Sequence, residues 1–124
     1  MRTISTPHAP AAIGPYSQGQ ISGGHLFTAG QIPLVPETME MVTGTIEAQT
    51  EQVMKNLTAV LAGANTGWDR VVKTTVFLTD LGDFAAFNAA YEKGMKGAKP
   101  ARSTVQVAAL PRGAKVEIEL IAEV

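Results

Sequence analysis

The chain has 124 residues, 45% of them apolar and 17% charged, with a formal net charge of −1 and no cysteine. This length suits one domain spanning residues 1–124, large enough to bury about two-thirds of its unfolded surface without staples. The missing cysteines exclude a disulfide framework, a thiolate nucleophile and a Cys-based zinc site, and the near-neutral charge speaks against a nucleic-acid or anionic-membrane partner.

Met1–Pro7 carries one basic residue and no apolar stretch, so it does not read as a signal peptide. No apolar run approaches the roughly 20 residues of a membrane span, and the cytosol is the expected compartment. Arg2–Ser5 can form a short edge strand, after which Pro7, Pro10, Gly14 and Pro15 keep the chain irregular. Ser17–Ser22 and His25–Gly30 flank Gly23-Gly24, a pairing that predicts a two-residue hairpin because such turns need positive φ. Gln31–Gly44, with Pro33 and Pro36, reads as a long loop.

The first helix carries the clearest local signal. Ile46, Val53, Leu57, Val60, Leu61 and Ala64 make one stripe at the helical period, with Thr45 as N-cap and Asn65 or Gly67 as the stop. Asn56-Leu57-Thr58 has the form of a glycosylation sequon, but it falls inside this helix without a secretion signal and is given no weight. Val71–Thr79 is a β-branched run that suits a strand. Asp80 or Asp83 can cap a second helix whose core face is Phe84, Phe87, Tyr91 and Met95, ended by Gly94, Gly97 and Pro100. Ala101–Leu110 and Lys115–Val124 read as a closing hairpin around Pro111-Arg112-Gly113. The order hairpin, α, β, α, hairpin predicts an α+β fold: a mixed sheet with both helices on one face. The other face then needs a cover, which subunit association supplies. The low charged fraction points the same way.

Alternation places Arg102, Thr104 and Gln106 on one face of the penultimate strand, and Glu117, Glu119 and Glu123 opposite the apolar face of the last strand. An arginine and carboxylates on polar sheet faces admit two readings. One is a solvated outer face with weak ion pairs. The other is a face closed by a neighbouring subunit, where Arg102 binds an anionic substrate and a Glu handles a water. His8 and His25 have no partner at metal-ligand spacing, so no metal is expected. No phosphate-loop, dinucleotide-binding, zinc-protease or GxSxG pattern occurs. Trp68 is expected to pack against the end of the first helix. Tyr16 reads either as a plug over the hairpin or as a pocket wall.

Six segments resemble the RidA (YjgF) family: APAAIGPYSQ (9–18), FTAGQIP (27–33), VVKTTVFLTD (71–80), DFAAFNAAY (83–91), PARSTVQVAALP (100–111) and VEIELIA (116–122). They run in order and nearly end to end. The resemblance implies a chorismate-mutase-like subunit, a homotrimer with sites between subunits, and hydrolysis of 2-aminoacrylate- and 2-aminocrotonate-type intermediates released by pyridoxal-phosphate enzymes. It implies that Arg102 grips the substrate carboxylate and that Glu117 orients the attacking water. Tyr16, Gly30 and Asn88 match residues of the pocket. Two positions depart from the family's usual residues: Ala29 where Ser is common, and Thr104 where Cys is common.

An imine is already electrophilic, so this chemistry asks for no metal and no cofactor. A planar guanidinium fork suits a carboxylate, and a carboxylate can take the proton of an adding water. Other readings are a deaminase of a different enamine, such as an aminomuconate-type intermediate, or a non-enzymatic trimer that senses 2-oxo acids. Ribonuclease activity, also attached to this family, is disfavoured by the neutral charge.

Overall fold

The computed structural model describes residues 1–124. In chain order the elements are β1 (Arg2–Ile4), β2 (Gly19–Ser22), β3 (His25–Thr28), α1 (Ile46–Gly63), β4 (Val71–Leu78), α2 (Phe84–Met95), β5 (Ala101–Gln106) and β6 (Val116–Glu123). All six strands join one mixed sheet in the order β1-β2-β3-β6-β4-β5. The β4–β5 pair is parallel and the other pairs are antiparallel. This is the predicted α+β architecture, and neither helix is long and apolar enough to cross a membrane.

Local chemistry explains most elements. Gly23 and Gly24 both take positive φ, 59° and 79°, so Ser22 pairs with His25 across a two-residue turn. The Thr45 hydroxyl accepts from the Ala48 amide at 3.1 Å and opens α1. All six residues of the predicted stripe are buried. Asn65, at φ 57°, turns the chain out of the helix. Trp68 packs where expected, its indole N–H donating to Thr58 Oγ1 at 2.9 Å. Asn56 is buried and donates to the Ile32 and Leu34 carbonyls, so the sequon tethers the long loop. Asp80 caps the short 3-10 turn before α2 by accepting from Gly82, whereas Asp83 makes no side-chain cap.

The two helices pack together, with Met54 closing on Gly94, over the apolar face of the central strands. Val76 and Leu78 of β4 and Val116, Ile118, Leu120 and Ala122 of β6 are buried beneath them. The opposite face carries Phe27, Phe77, Glu117, Glu119 and Ile121, and Phe27 is 46% exposed.

Two expectations are corrected. The last two strands form no hairpin, because β4 lies between them. The α2 crossover returns β5 parallel to β4. The connection from β5 to β6 is then long enough, with left-handed Arg112 and Gly113, to carry the chain past β4 to its other edge. The polar strand β5 becomes the sheet edge, and the strongly apolar face of β6 takes a central place. The second correction concerns Phe84, which is not core but 36% exposed at the start of α2. Strand ends also retract: β2 starts at Gly19, β3 stops at Thr28 and β5 stops at Gln106.

Candidate functional site

Arg102 pairs with Thr74 in the parallel ladder, and Thr74 is fully buried on the helix side of the sheet. The Arg102 side chain therefore rises under α2 and not on the open face. Phe84, Asn88 and Tyr91 stand at i, i+4 and i+7 on that helix, so they share one face. The guanidinium carbon lies 4.9 Å from the Tyr91 ring centre and 5.3 Å from that of Phe84. Nη1 donates to Asn88 Oδ1 at 2.6 Å. A cation held by aromatic faces gains about 0.5–2 kcal/mol without spending its charge on a counter-ion. The chain's only ion pair, Lys55–Glu51, lies elsewhere. The fork thus keeps N–H donors free.

The nest beneath Arg102 is itself fixed. Tyr91 hydroxyl and Thr74 Oγ1 share a buried hydrogen bond of 2.7 Å. Burial pushes the Tyr91 phenol above its ordinary pKa, against the opposing pull of Thr74 and Arg102. Thr104 follows Arg102 on the same face, and its buried hydroxyl has no hydrogen-bond partner.

Glu117 occupies the other side. In β6 it pairs with Phe77 of β4 and faces away from the helices. The segment before it in space is stapled to the sheet: Gln31 N donates to Ile118 O at 2.8 Å and Ile118 N to Gln31 O at 3.2 Å. This brings Gly30 against the Glu117 side chain so closely that a Cβ there would overlap the carboxylate. Half-burial raises the Glu117 pKa above the usual carboxylate range, and the neighbouring Glu119 charge adds to the shift.

Tyr16, Ala29, Gly30, Met39, Arg112 and Glu117 are among the residues lining a cavity of about 530 Å³. Tyr16 is more than half exposed, so it is a wall of this cavity and not a plug over the hairpin. Gln18 fixes the loop that carries it. Its buried amide donates to the carbonyls of Thr6, Ala9 and Pro10, and accepts from the Thr6 amide at 2.7 Å.

The predicted residues therefore fall into two groups. Tyr16, Ala29, Gly30 and Glu117 share one cavity, whereas Arg102, Asn88 and Thr104 sit at the sheet edge under α2. In the pairing register Arg102 is level with Thr74 and Glu117 with Phe77, with β4 between. That separates them by about 10 Å across the strands and about 10 Å along them, on opposite faces. One chain does not bring the arginine and the carboxylates onto a common polar face.

Sequence reasoning passed over Thr74, Gln18 and Arg112 as parts of this arrangement, whereas it did name the loop that begins at Met39 as a wall of the pocket. It also read Phe84 and Tyr91 only as core. Their i, i+7 spacing around Asn88 was the available signal for an arginine nest.

Residues 6–124 match the protein family described as Endoribonuclease L-PSP. The chain is 57% identical over 123 residues to Protein DfrA of Myxococcus xanthus, covering 98% of this chain and 94% of that protein. It is 46% identical over 121 residues to 2-iminobutanoate/2-iminopropanoate deaminase of Mus musculus, covering 98% and 90%. The crystal structure of RidA from the Antarctic bacterium Psychrobacter sp. superposes with a TM-score of 0.95 at 45% identity, covering 100% of both chains.

Proposed function

This chain belongs to the RidA (YjgF) family, and from that premise we propose that it hydrolyses reactive 2-imino acids and their enamine tautomers to 2-oxo acids and ammonia. The observation that carries this reading is the pair of incomplete half-sites. A guanidinium fork without a counter-ion lies on one face, and a half-buried carboxylate beside a cavity lies on the other. One copy cannot combine them, but adjacent copies in a homotrimer can.

In the proposed reaction Arg102 holds the substrate carboxylate through paired N–H donors. Asn88, Phe84 and Tyr91 fix the plane of the fork. Glu117 of the neighbouring copy holds a water against the imine carbon. The water oxygen bonds to that carbon as the C=N electrons move to nitrogen, and Glu117 accepts the water's proton. Glu117 passes that proton to nitrogen to give the neutral carbinolamine, then takes the hydroxyl proton and hands it to the same nitrogen as the C–N bond breaks and C–O becomes C=O, so ammonia leaves carrying both protons of the water. A carboxylate raised above its ordinary pKa is a better base for this task than a fully solvated one. Holding water and imine together supplies much of the gain such a labile substrate needs.

The test is ammonia and 2-oxobutanoate release when the purified protein is added to a threonine dehydratase reaction. Release faster than spontaneous hydrolysis supports the reading; an unchanged rate overturns it. Light scattering should give three times the 13.0 kDa subunit mass, and a monomer at micromolar concentration would remove the intersubunit site.

A further inference from the structure

Four residues other than glycine take positive φ: Met39, Asn65, Lys96 and Arg112. Asn65 and Lys96 follow the ends of the two helices, where a left-handed residue is ordinary. Met39 and Arg112 sit instead in tight turns: Met39 N donates to Val35 O at 2.7 Å within the loop closed by the Leu34–Met41 bridge, and Ala114 N donates to Pro111 O at 3.2 Å across Arg112-Gly113, positions that ordinarily favour glycine or asparagine. They lie 73 positions apart in the chain, yet Arg112 Nη1 donates to the Met39 carbonyl at 2.9 Å. Both line the cavity that holds Glu117. Strain in left-handed backbone persists only where the surroundings enforce it, and it gathers at ligand clamps. Glycine would adopt the Arg112 conformation without strain, as Gly113 does beside it. What position 112 adds is therefore its side chain.

That side chain is one of only two charged groups lining the cavity, the other being Glu117. Much of the remaining wall is apolar, with Pro10, Ile13, Ile32 and Leu34. The guanidinium has five N–H donors, one of which is committed to Met39, and no carboxylate of the chain pairs with it. Taking Glu117 as the water-holding group, a reading on which this inference rests, the substrate side chain extends into this cavity. An anionic side chain there is repelled by Glu117 unless a cation answers it, and a cationic one is repelled by Arg112.

We propose that Arg112, clasped to Met39 at the cavity wall, is a specificity-determining residue that binds a second carboxylate on the substrate side chain. The site then favours dicarboxylic 2-imino and 2-oxo acids over neutral ones of the same size.

The experiment is calorimetric binding at low salt of 2-oxobutanoate, 2-oxoglutarate and the neutral isostere 5-methyl-2-oxohexanoate. The proteins are the unsubstituted chain, Arg112→Gly and Arg112→Lys. The readout is the ratio of affinities for the dicarboxylate and its isostere, which does not depend on absolute binding strength. The unsubstituted chain should favour 2-oxoglutarate by about fivefold, the worth of a partly exposed charged pair. Arg112→Gly, which suits the local φ and so folds, should bring the ratio to one or below. Arg112→Lys should keep part of the preference, because it keeps charge without the fork. If 2-oxobutanoate binds but 2-oxoglutarate binds no tighter than its isostere, or if Arg112→Gly leaves the ratio unchanged, this inference falls while the deaminase reading stands. If none of the three acids binds, the reading of the site falls and takes the inference with it.

Discussion

The two faces of the sheet hold their charged side chains by opposite means. On the helix side, Arg102 is built in: two aromatic faces and an amide oxygen surround it, all from one face of α2. On the open side, Glu117 is left room: Gly30 has no side chain, and a loop stapled at Gln31 brings that gap against the carboxylate. The response to partial burial differs as well. A guanidinium offers donors only, and the aromatic faces around it leave them open to a carboxylate. A carboxylate answers desolvation by holding its proton more tightly, as the raised Glu117 pKa records. The comparison separates a group held for binding from one whose proton affinity is tuned.

Exchanging each group for its nearest neutral or charged analogue should break the comparison with the largest effect. Glu117→Gln should lose turnover by about two to four powers of ten, the usual worth of a positioned base, while still binding 2-oxo acids. Arg102→Lys should lose turnover together with binding, since it keeps the charge but not the fork. Steady-state deamination beside calorimetric binding of 2-oxobutanoate separates the two outcomes. Near-full turnover in Glu117→Gln would move the water to another group or favour a protein that only senses 2-oxo acids. Glu119→Gln, on the neighbouring exposed position, should do much less.

Gly30→Ala probes the gap itself. Gly30 does not take positive φ, so an alanine meets no backbone penalty and the clash with Glu117 is isolated. Displacing the carboxylate by about 1 Å should cost up to about a hundredfold in turnover. The overpacking should cost about 1–3 kcal/mol of stability, read from denaturant unfolding. In a Glu117→Ala background the same alanine should cost little, because the overlapping group is gone. Equal costs in both backgrounds would mean that Gly30 does not serve to seat Glu117.

How far these features were legible beforehand follows the range of the interactions that fix them. The α1 stripe, its Thr45 cap and the Gly23-Gly24 turn are encoded within a few residues, and each formed as read. The closing hairpin failed because strand partners are chosen at long range: the α2 crossover lays β5 along one edge of β4, and β6 takes the other edge. The identities of Arg102 and Glu117 as candidates were visible in their motifs, but their faces were not. Alternation divides a strand into two sides without saying which meets the helices, and the Arg102–Thr74 register decides that. Phe84 shows a second limit, since an apolar residue at helical spacing can hold a cation instead of filling the core. The Pro111-Arg112-Gly113 turn was legible locally, but its clasp to Met39 was not, because that hydrogen bond joins residues 73 positions apart.

Ala29 offers a milder way to sharpen the comparison. It lines the same cavity as Glu117, and its amide is already committed to the Gln18 carbonyl at 3.0 Å. A hydroxyl at this position can add one hydrogen bond to a ligand, worth about 0.5–1.5 kcal/mol when well aligned. Ala29→Ser should keep its activity and bind 2-oxo acids several-fold tighter by calorimetry. Unchanged or weaker binding would mean that the cavity is arranged around the alanine.

The smallest effect is a difference in stability between the unsubstituted protein and its Glu117→Gln form, and its sign follows from the raised pKa. Below the ordinary carboxylate range, Glu117 is protonated in both the folded and the unfolded chain and contributes no difference. As pH rises through the unfolded value, the unfolded chain gives up this proton first, while the folded chain still holds it. The folded state then binds more protons than the unfolded state, so stability falls with rising pH until the folded pKa has been passed. Above that point the penalty for keeping a half-desolvated negative charge beside Glu119 is fully present. Glutamine of the same size carries no such charge. Glu117→Gln should therefore melt at a higher temperature than the unsubstituted protein at neutral pH, and the gap should close on acidification below the carboxylate range. Melting curves across this acid-to-neutral window provide the check. A Glu117→Gln protein that is less stable at neutral pH would mean that the carboxylate is held by favourable contacts in the folded protein, and that its pKa is depressed instead of raised.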